Sequence, residues 1–267
     1  MIDKYINTVI NGNCVDVMSE FPDNSIDLVI TSPPYDNLRN YTGYTFPFGE
    51  IVNQLYRVIK EHGIVVWIVS DATIEGSETC TSFKQALSFV EMGFNLHDTM
   101  IFQKTNPIPQ IYRKRYTNIF EYMFVFSKGS VMIHNAIRIP CLHAGLELNG
   151  TTYKNYSKGE QMRTKLASPV RKDKIKGNIW EYVVGKKAID QEAKGHPAPF
   201  PFELATDHIK SWTNEGAIVL DPMCGSGTTC VAAYELNRKY IGIDISPEYC
   251  ELSKTRLNLH IQKSTLF

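Results

Sequence analysis

Apolar residues recur along the chain at two spacings, and the changes from one to the other mark out strands and helices in succession. Ile26 to Thr31 (Ile-Asp-Leu-Val-Ile-Thr) and Ile64 to Val69 (Ile-Val-Val-Trp-Ile-Val) are short, nearly continuous apolar runs. Such runs suit strands covered on both faces of a parallel sheet. Glu50 to Lys60 puts Ile51, Leu55, Val58 and Ile59 on one helical face and is stopped by His62-Gly63, and Ser82 to Met92 does the same with Phe83, Leu87 and Val90. Leu96 to Gln103 and Phe120 to Ser127 predict two further strands, an antiparallel pair joined by a loop holding Pro107 and Pro109. Tyr5 to Asn13 predicts an opening strand, Cys14 to Glu20 a short helix, and Phe202 to Trp212 a longer one. From Ala217 onward come a strand, a glycine-rich turn, a helix over Thr229 to Asn237 and a strand over Lys239 to Ile245.

This alternation predicts an α/β fold: a Rossmann-like, doubly wound, mostly parallel sheet with an antiparallel edge hairpin. Between Gly129 and about Gly195 the periodicity is lost, which predicts a small irregular lobe. Trp180, inside Asn-Ile-Trp-Glu-Tyr, is the residue expected to anchor that lobe to the body. The chain therefore divides into 1–129, 130–178 and 179–267, the first and last being parts of one domain.

Composition adds a compartment and a charge pattern. No run of about 18 apolar residues occurs and the N-terminus has no signal-peptide core, so a cytoplasmic protein with no membrane partner is expected. The six cysteines form no Cys-x-x-Cys pair, which points to reduced thiols and no metal. Formal net charge is zero, yet Thr151 to Lys187 holds ten Lys and Arg against three acids. A phosphate-binding face on an otherwise acidic body would produce that segregation, and so would a solvated charged loop. Arg113-Lys114-Arg115 adds a second basic run, and Arg171-Lys172 lies within the first.

Two stretches carry candidate chemistry. The strand Ile26 to Thr31 runs into Ser32-Pro33-Pro34-Tyr35, where consecutive prolines end the ladder because neither has an N–H to donate. A hydroxyl, a proline carbonyl and an aromatic face then meet at a strand's carboxyl end, where open α/β sheets bind ligands. An ordinary Pro-Pro turn is the alternative. The loop that follows is rich in aromatics, which either close over a ligand or pack the crevice. The second stretch, Asp221-Pro-Met-Cys-Gly225-Ser-Gly227-Thr228-Thr, lies between strand and helix, with Asp244 23 residues after Asp221. Glycines let backbone approach a ligand, and an acid at that distance takes ribose hydroxyls. The turn has neither the third glycine of the dinucleotide fingerprint nor the lysine of a P-loop. The helix start with Asp221 suits a zwitterionic amino-acid tail.

Ser-Pro-Pro-Tyr resembles the Asp/Asn/Ser-Pro-Pro-Tyr motif of DNA methyltransferases that methylate exocyclic base amines. The stretch from Asp221 to Thr229 resembles the S-adenosylmethionine motif of the same family. His196-Pro-Ala-Pro-Phe200-Pro resembles the motif that precedes it. Catalytic motif first, basic segment next and cofactor motif last is the permuted order of the family's β group, and only residues 130 to 178 fall outside the likeness. The resemblance implies that Ser32 Oγ and the Pro33 carbonyl hold the amine hydrogens while Tyr35 stacks on a flipped base. It implies that Asp221, Gly225, Gly227 and Thr228 line the methionine end of S-adenosylmethionine, that Asp244 holds the ribose, and that Phe200 packs beside the cofactor with His196 in the same motif. Asn13-Cys14 falls where the family has an Asp that contacts the adenine amine, and Met223 where it has Phe. An aromatic of Glu121 to Phe126 is placed near the base pocket.

Ser in the first position favours cytosine N4, with adenine N6 the alternative; a catalytically inactive DNA-binding module is the reading from another class. A cytosine C5 enzyme is excluded because Pro140-Cys141 has no following Glu-Asn. RNA and protein methyltransferases with Pro-Pro-Tyr-like corners usually have Asn before the prolines and the cofactor motif first, so the reversed order here points away from them. Double-stranded DNA is the expected partner, with Arg113, Lys114, Arg115, Arg171 and Lys172 on its phosphates; a homodimer and a cognate restriction endonuclease are left open.

Overall fold

The computed structural model describes residues 1–34, 46–109, 114–146, 151–155, 161–165, 169–185 and 201–264. After a 3-10 turn at Ile2–Tyr5 come β1 (Thr8–Asn11), α1 (Cys14–Ser19), β2 (Ile26–Thr31), α2 (Phe48–Val58) and β3 (Ile59–Val69). A small hairpin, β4 (Thr73–Ile74) and β5 (Ser77–Glu78), leads to α3 (Thr81–Met92), β6 (Asn95–Lys104) and β7 (Phe120–Ser127). Four short strands follow, β8 (Arg138–Pro140), β9 (Thr151–Asn155), β10 (Gln161–Lys165) and β11 (Asp173–Ile175). The chain closes with β12 (Ile179–Tyr182), α4 (Phe202–Trp212), β13 (Ile218–Asp221), α5 (Thr228–Glu235), β14 (Lys239–Asp244) and α6 (Pro247–Ser264).

Two compact units result: residues 1–135 with 178–267, and residues 136–177. The larger is built on an eight-stranded sheet ordered β1-β14-β13-β2-β3-β7-β6-β12. Strands β1, β14, β13, β2 and β3 are mutually parallel, β7 is antiparallel to both β3 and β6, and β12 joins β6 in parallel. The antiparallel pair is thus present, but β12 covers its outer side and takes the edge. Trp180 lies on β12 itself, buried against the ring of His208 at 4.7 Å, and so belongs to the sheet of the larger unit.

Burial of large side chains holds the sheet and helices together. Trp67 on β3 is fully buried and donates its indole N–H to Gln85 on α3 at 2.8 Å, while Phe89 stacks on Phe126 at 4.4 Å. Each such side chain contributes roughly 1.5–3 kcal/mol through burial. Helix α3 turns a different face inward than its apolar stripe predicts: Ser82, Gln85, Ala86 and Phe89 are buried, and Phe83, Leu87 and Val90 are exposed. Phe48, from the aromatic loop, packs edge-on against Trp67 and Phe89, so at this position the aromatic serves the core.

The smaller unit, expected to be irregular, contains two antiparallel pairs, β8 with β11 and β9 with β10. Arg138 pairs with Asp173 across the first at 2.6 Å. Among the described residues no helix is long and apolar enough to cross a membrane, and no group of three or more His, Cys, Asp or Glu could hold a metal ion.

Candidate active site

The two stretches singled out in the sequence meet at the centre of the sheet. Strands β2 and β13 are neighbours and run the same way, with Val219 opposite Leu28 and Leu220 opposite Val29. Parallel pairing puts both carboxyl ends on one rim, so Ser32-Pro33-Pro34 and the glycine turn leave the sheet side by side although about 190 residues separate them in sequence. Ser32 and Pro34 are half-buried and Pro33 is buried. Tyr35, Arg113, His196 and Phe200 lie outside the described residues.

The glycine turn is held from three directions. Asp244, at the end of β14, accepts from the backbone N–H of Gly225 at 2.8 Å through one oxygen and from that of Ser246 at 2.9 Å through the other. Burial pushes this carboxyl up and the two N–H groups draw it back. A carboxylate oxygen has two lone pairs, so each retains acceptor capacity for a ribose hydroxyl. The residues present therefore fit a nucleoside cofactor at this rim. Gly227, with φ +77°, begins α5, and a Cβ there would stand 2.0 Å from Ser253 Oγ of α6. Both conformation and space demand glycine. From α6, the buried guanidinium of Arg256 donates to the Ser226 carbonyl, to Ser226 Oγ at 3.1 Å and to Thr228 Oγ1 at 3.3 Å.

Asp221 departs from the sequence-based expectation. It is 1% exposed, and its carboxylate is taken up inside the protein: Oδ1 accepts from Thr31 Oγ1 at 2.8 Å and from the Met223 N–H at 3.2 Å, and Oδ2 accepts from Thr229 Oγ1 at 2.8 Å. Burial raises its pKa to about 6, partly offset by these three donors. An acid so enclosed braces the turn from behind. Asn13 likewise has a local task, because its Oδ1 caps α1 by accepting from the Val15 N–H at 2.9 Å. Burial raises the adjacent Cys14 thiol to about 11, which keeps it neutral.

Helix α6 was missed in the sequence, and Arg256 with it. Its start was legible in Ser246-Pro247: Ser246 Oγ accepts from the Tyr249 N–H at 3.2 Å, and proline occupies the first helical position. Beside β2, the carboxyl end of β3 opens into a cleft of about 890 Å³ bordered by Ser70, Asp71, Glu78, Lys114, Arg115 and Tyr122. Arg115 is engaged there by Glu78 at 3.3 Å and by the Gly76 carbonyl, whereas Lys114 is exposed. In the smaller unit, Arg171 and Lys172 are exposed.

A family model described as DNA methylase, covering N6- and N4-methyltransferases, matches residues 26–255. The chain belongs to this family. It is a DNA methyltransferase, and the family's methyl donor is S-adenosylmethionine. The methylase is 49% identical over 244 residues to the orphan methyltransferase M.BamHII of Bacillus amyloliquefaciens, covering 90% of this chain and 91% of the relative. It is 27% identical over 260 residues to the type II methyltransferase M.BglII of Bacillus subtilis, covering 94% and 68%. Among solved structures it resembles the cytosine-N4-specific PvuII DNA methyltransferase, with TM-score 0.68, 21% identity and 93% and 85% of the two chains covered. It also resembles the M1.HpyAVI–SAM complex, with TM-score 0.65, 22% identity and 94% and 98% covered. At these identities the structures speak for the fold of the methylase.

Proposed function

We propose that this methylase transfers a methyl group to the exocyclic amine of a flipped cytosine, making N4-methylcytosine in duplex DNA. The observation that carries the reading is the adjacency of Ser32-Pro33 to the glycine turn on neighbouring parallel strands. The amine of a nucleobase is a weak nucleophile because its lone pair is delocalised into the ring. Two fixed acceptors, Ser32 Oγ and the Pro33 carbonyl, take one N–H each and pull the nitrogen toward tetrahedral geometry, which takes its lone pair out of conjugation with the ring. Pro34 fixes the direction of that carbonyl, and Tyr35 supplies a stacking face. Gly225, Gly227 and Asp244 hold the cofactor, with Asn13, Cys14, His196 and Phe200 around it; bound S-adenosylmethionine supplies a methyl group on a positively charged sulfur. The corner would align the amine for in-line attack on that methyl carbon: as the C–N bond formed the C–S bond would break with its electron pair on sulfur, leaving neutral S-adenosylhomocysteine, and the surplus amine proton would pass to solvent water.

Serine in the first motif position and the fold likeness to a cytosine-N4-specific enzyme both support cytosine, with adenine N6 the alternative. Lys114, Arg171 and Lys172, with Arg113 and Arg115, are proposed to face phosphates. Each such contact should contribute about 0.9 to the slope of log affinity against log salt. Support for a cognate endonuclease is divided, since one relative is named a type II methyltransferase and another an orphan. A DNA substrate supports the cytoplasm as the compartment. Ser32→Ala tests the reading: S-adenosylmethionine affinity by calorimetry should stay within about threefold, and single-turnover transfer should fall at least 100-fold, the scale of a lost hydrogen-bonding group aimed at the reacting centre. Full activity in that variant would remove Ser32 from the mechanism.

A further inference from the structure

Backbone pairing between β2 and β13 runs through Val29 and Leu220, short of the corner that does the chemistry. On the β3 side the ladder continues to Thr31 opposite Trp67. Toward the cofactor turn, the next connection is made by side chains: Thr31 Oγ1 to Asp221 Oδ1, and Asp221 Oδ2 to Thr229 Oγ1, each 2.8 Å. Thr31, Asp221 and Thr229 are all at most 1% exposed. Thr31 directly precedes Ser32, and Thr229 lies in the first turn of α5, immediately past Gly227-Thr228. One buried carboxylate thus joins the residue before the amine-holding hydroxyl to the helix start that carries the glycine turn.

We propose that Thr31, Asp221 and Thr229 form a positioning clamp that keeps the Ser32-Pro33 corner in register with the cofactor turn. The clamp touches no substrate and acts through Ser32 and the glycines, and it deepens the methyl-transfer reading and rests on it. The demand for register is physical, because a reacting group displaced by about 1 Å can lose ~100-fold in rate. A carboxylate suits the junction because it only accepts, and three donors converge on it. An amide would offer one acceptor oxygen and turn a donor toward one of the threonine hydroxyls.

Thr31→Val removes the hydroxyl and keeps the shape, and Thr31→Ser keeps the hydroxyl. Hydrogen exchange and single-turnover methyl transfer are measured on the full chain, with the melting temperature as a check on folding. In Thr31→Val, backbone exchange should quicken at least fivefold at both Ser32 and Gly225–Thr229 while helix α2 is unchanged. Transfer at saturating cofactor should fall at least tenfold, and Thr31→Ser should restore both to within about threefold of wild type. Unchanged exchange at the glycine turn in Thr31→Val, a wild-type transfer rate in that variant, or a Thr31→Ser protein as slow as Thr31→Val would overturn the clamp. Hydrogen exchange does not depend on turnover, so coupled exchange in a wild-type protein that leaves DNA unmethylated would sink the methyl-transfer reading and not the link between the corners.

Discussion

The two corners that meet at the sheet's rim are fixed by different means. The cofactor turn is pinned by polar side chains from several elements: Asp244 from β14, Asp221 from β13, and Arg256 from α6. The amine corner owes its shape to covalent restriction, two prolines whose torsions are set before folding, and is tied to its neighbour through the Thr31 hydroxyl. A ligand that must bind and leave is met by a turn whose glycines need outside support. A reacting group that must not move is met by a backbone with little freedom. Damage to the first region should therefore appear in cofactor affinity, and damage to the second in rate.

The sharpest test of that division beyond Ser32 is Asp244→Ala. It removes the acceptor for two backbone N–H groups and the one proposed for the ribose, and S-adenosylmethionine affinity should fall about 100-fold, roughly 2.7 kcal/mol, by calorimetry. Transfer at saturating cofactor should change far less; an equal loss in both would erase the distinction between the corners. A smaller effect is expected from Arg256→Met, which keeps side-chain bulk and removes the bonds to Ser226 and Thr228. Cofactor Kd should rise about 10-fold, or 1.4 kcal/mol, together with a lower melting temperature. Lower melting at unchanged Kd would confine Arg256 to holding α6.

The last effect falls on stability, not on cofactor affinity or rate, and is one of pH. The Asp221 carboxyl is raised by burial to about 6, above its ordinary 3.8, so the folded state binds this proton more tightly than the unfolded chain. Its contribution to stability is complete below pH 4 and is lost as pH rises through 6, by at most about 3 kcal/mol. Asp244 faces it from β14 and raises it further, and Cys224 from the turn is buried and neutral. Asp221→Asn should accordingly gain melting temperature relative to wild type between pH 5 and pH 8, even as transfer is slower throughout. A difference independent of pH would show that the acid titrates as it does in water.

What could be read from residues alone followed from strong local constraints. Continuous apolar runs identified β2 and β3, and the prolines after Thr31 and the glycines after Asp221 marked both corners, because each residue type has a backbone consequence. The inward face of α3 was not legible, since a polar residue, Gln85, is buried by accepting the Trp67 indole N–H while Phe83, Leu87 and Val90 remain outside. Strand β12 was missed because only Trp180 and Tyr182 carry its alternation. The inward role of Asp221 was hidden for another reason: its partner Thr31 is 190 residues away, and no spacing rule reports a bond across neighbouring strands.

The central claim is that an exocyclic base amine is the methyl acceptor. DNA incubated with the purified methylase and isotopically labelled S-adenosylmethionine, digested to nucleosides and analysed by mass spectrometry, tests it directly. The account predicts label in N4-methylcytosine, and label in N6-methyladenine would keep the chemistry and change the base. Label on carbon 5 of cytosine, or in no nucleoside at all, would contradict it.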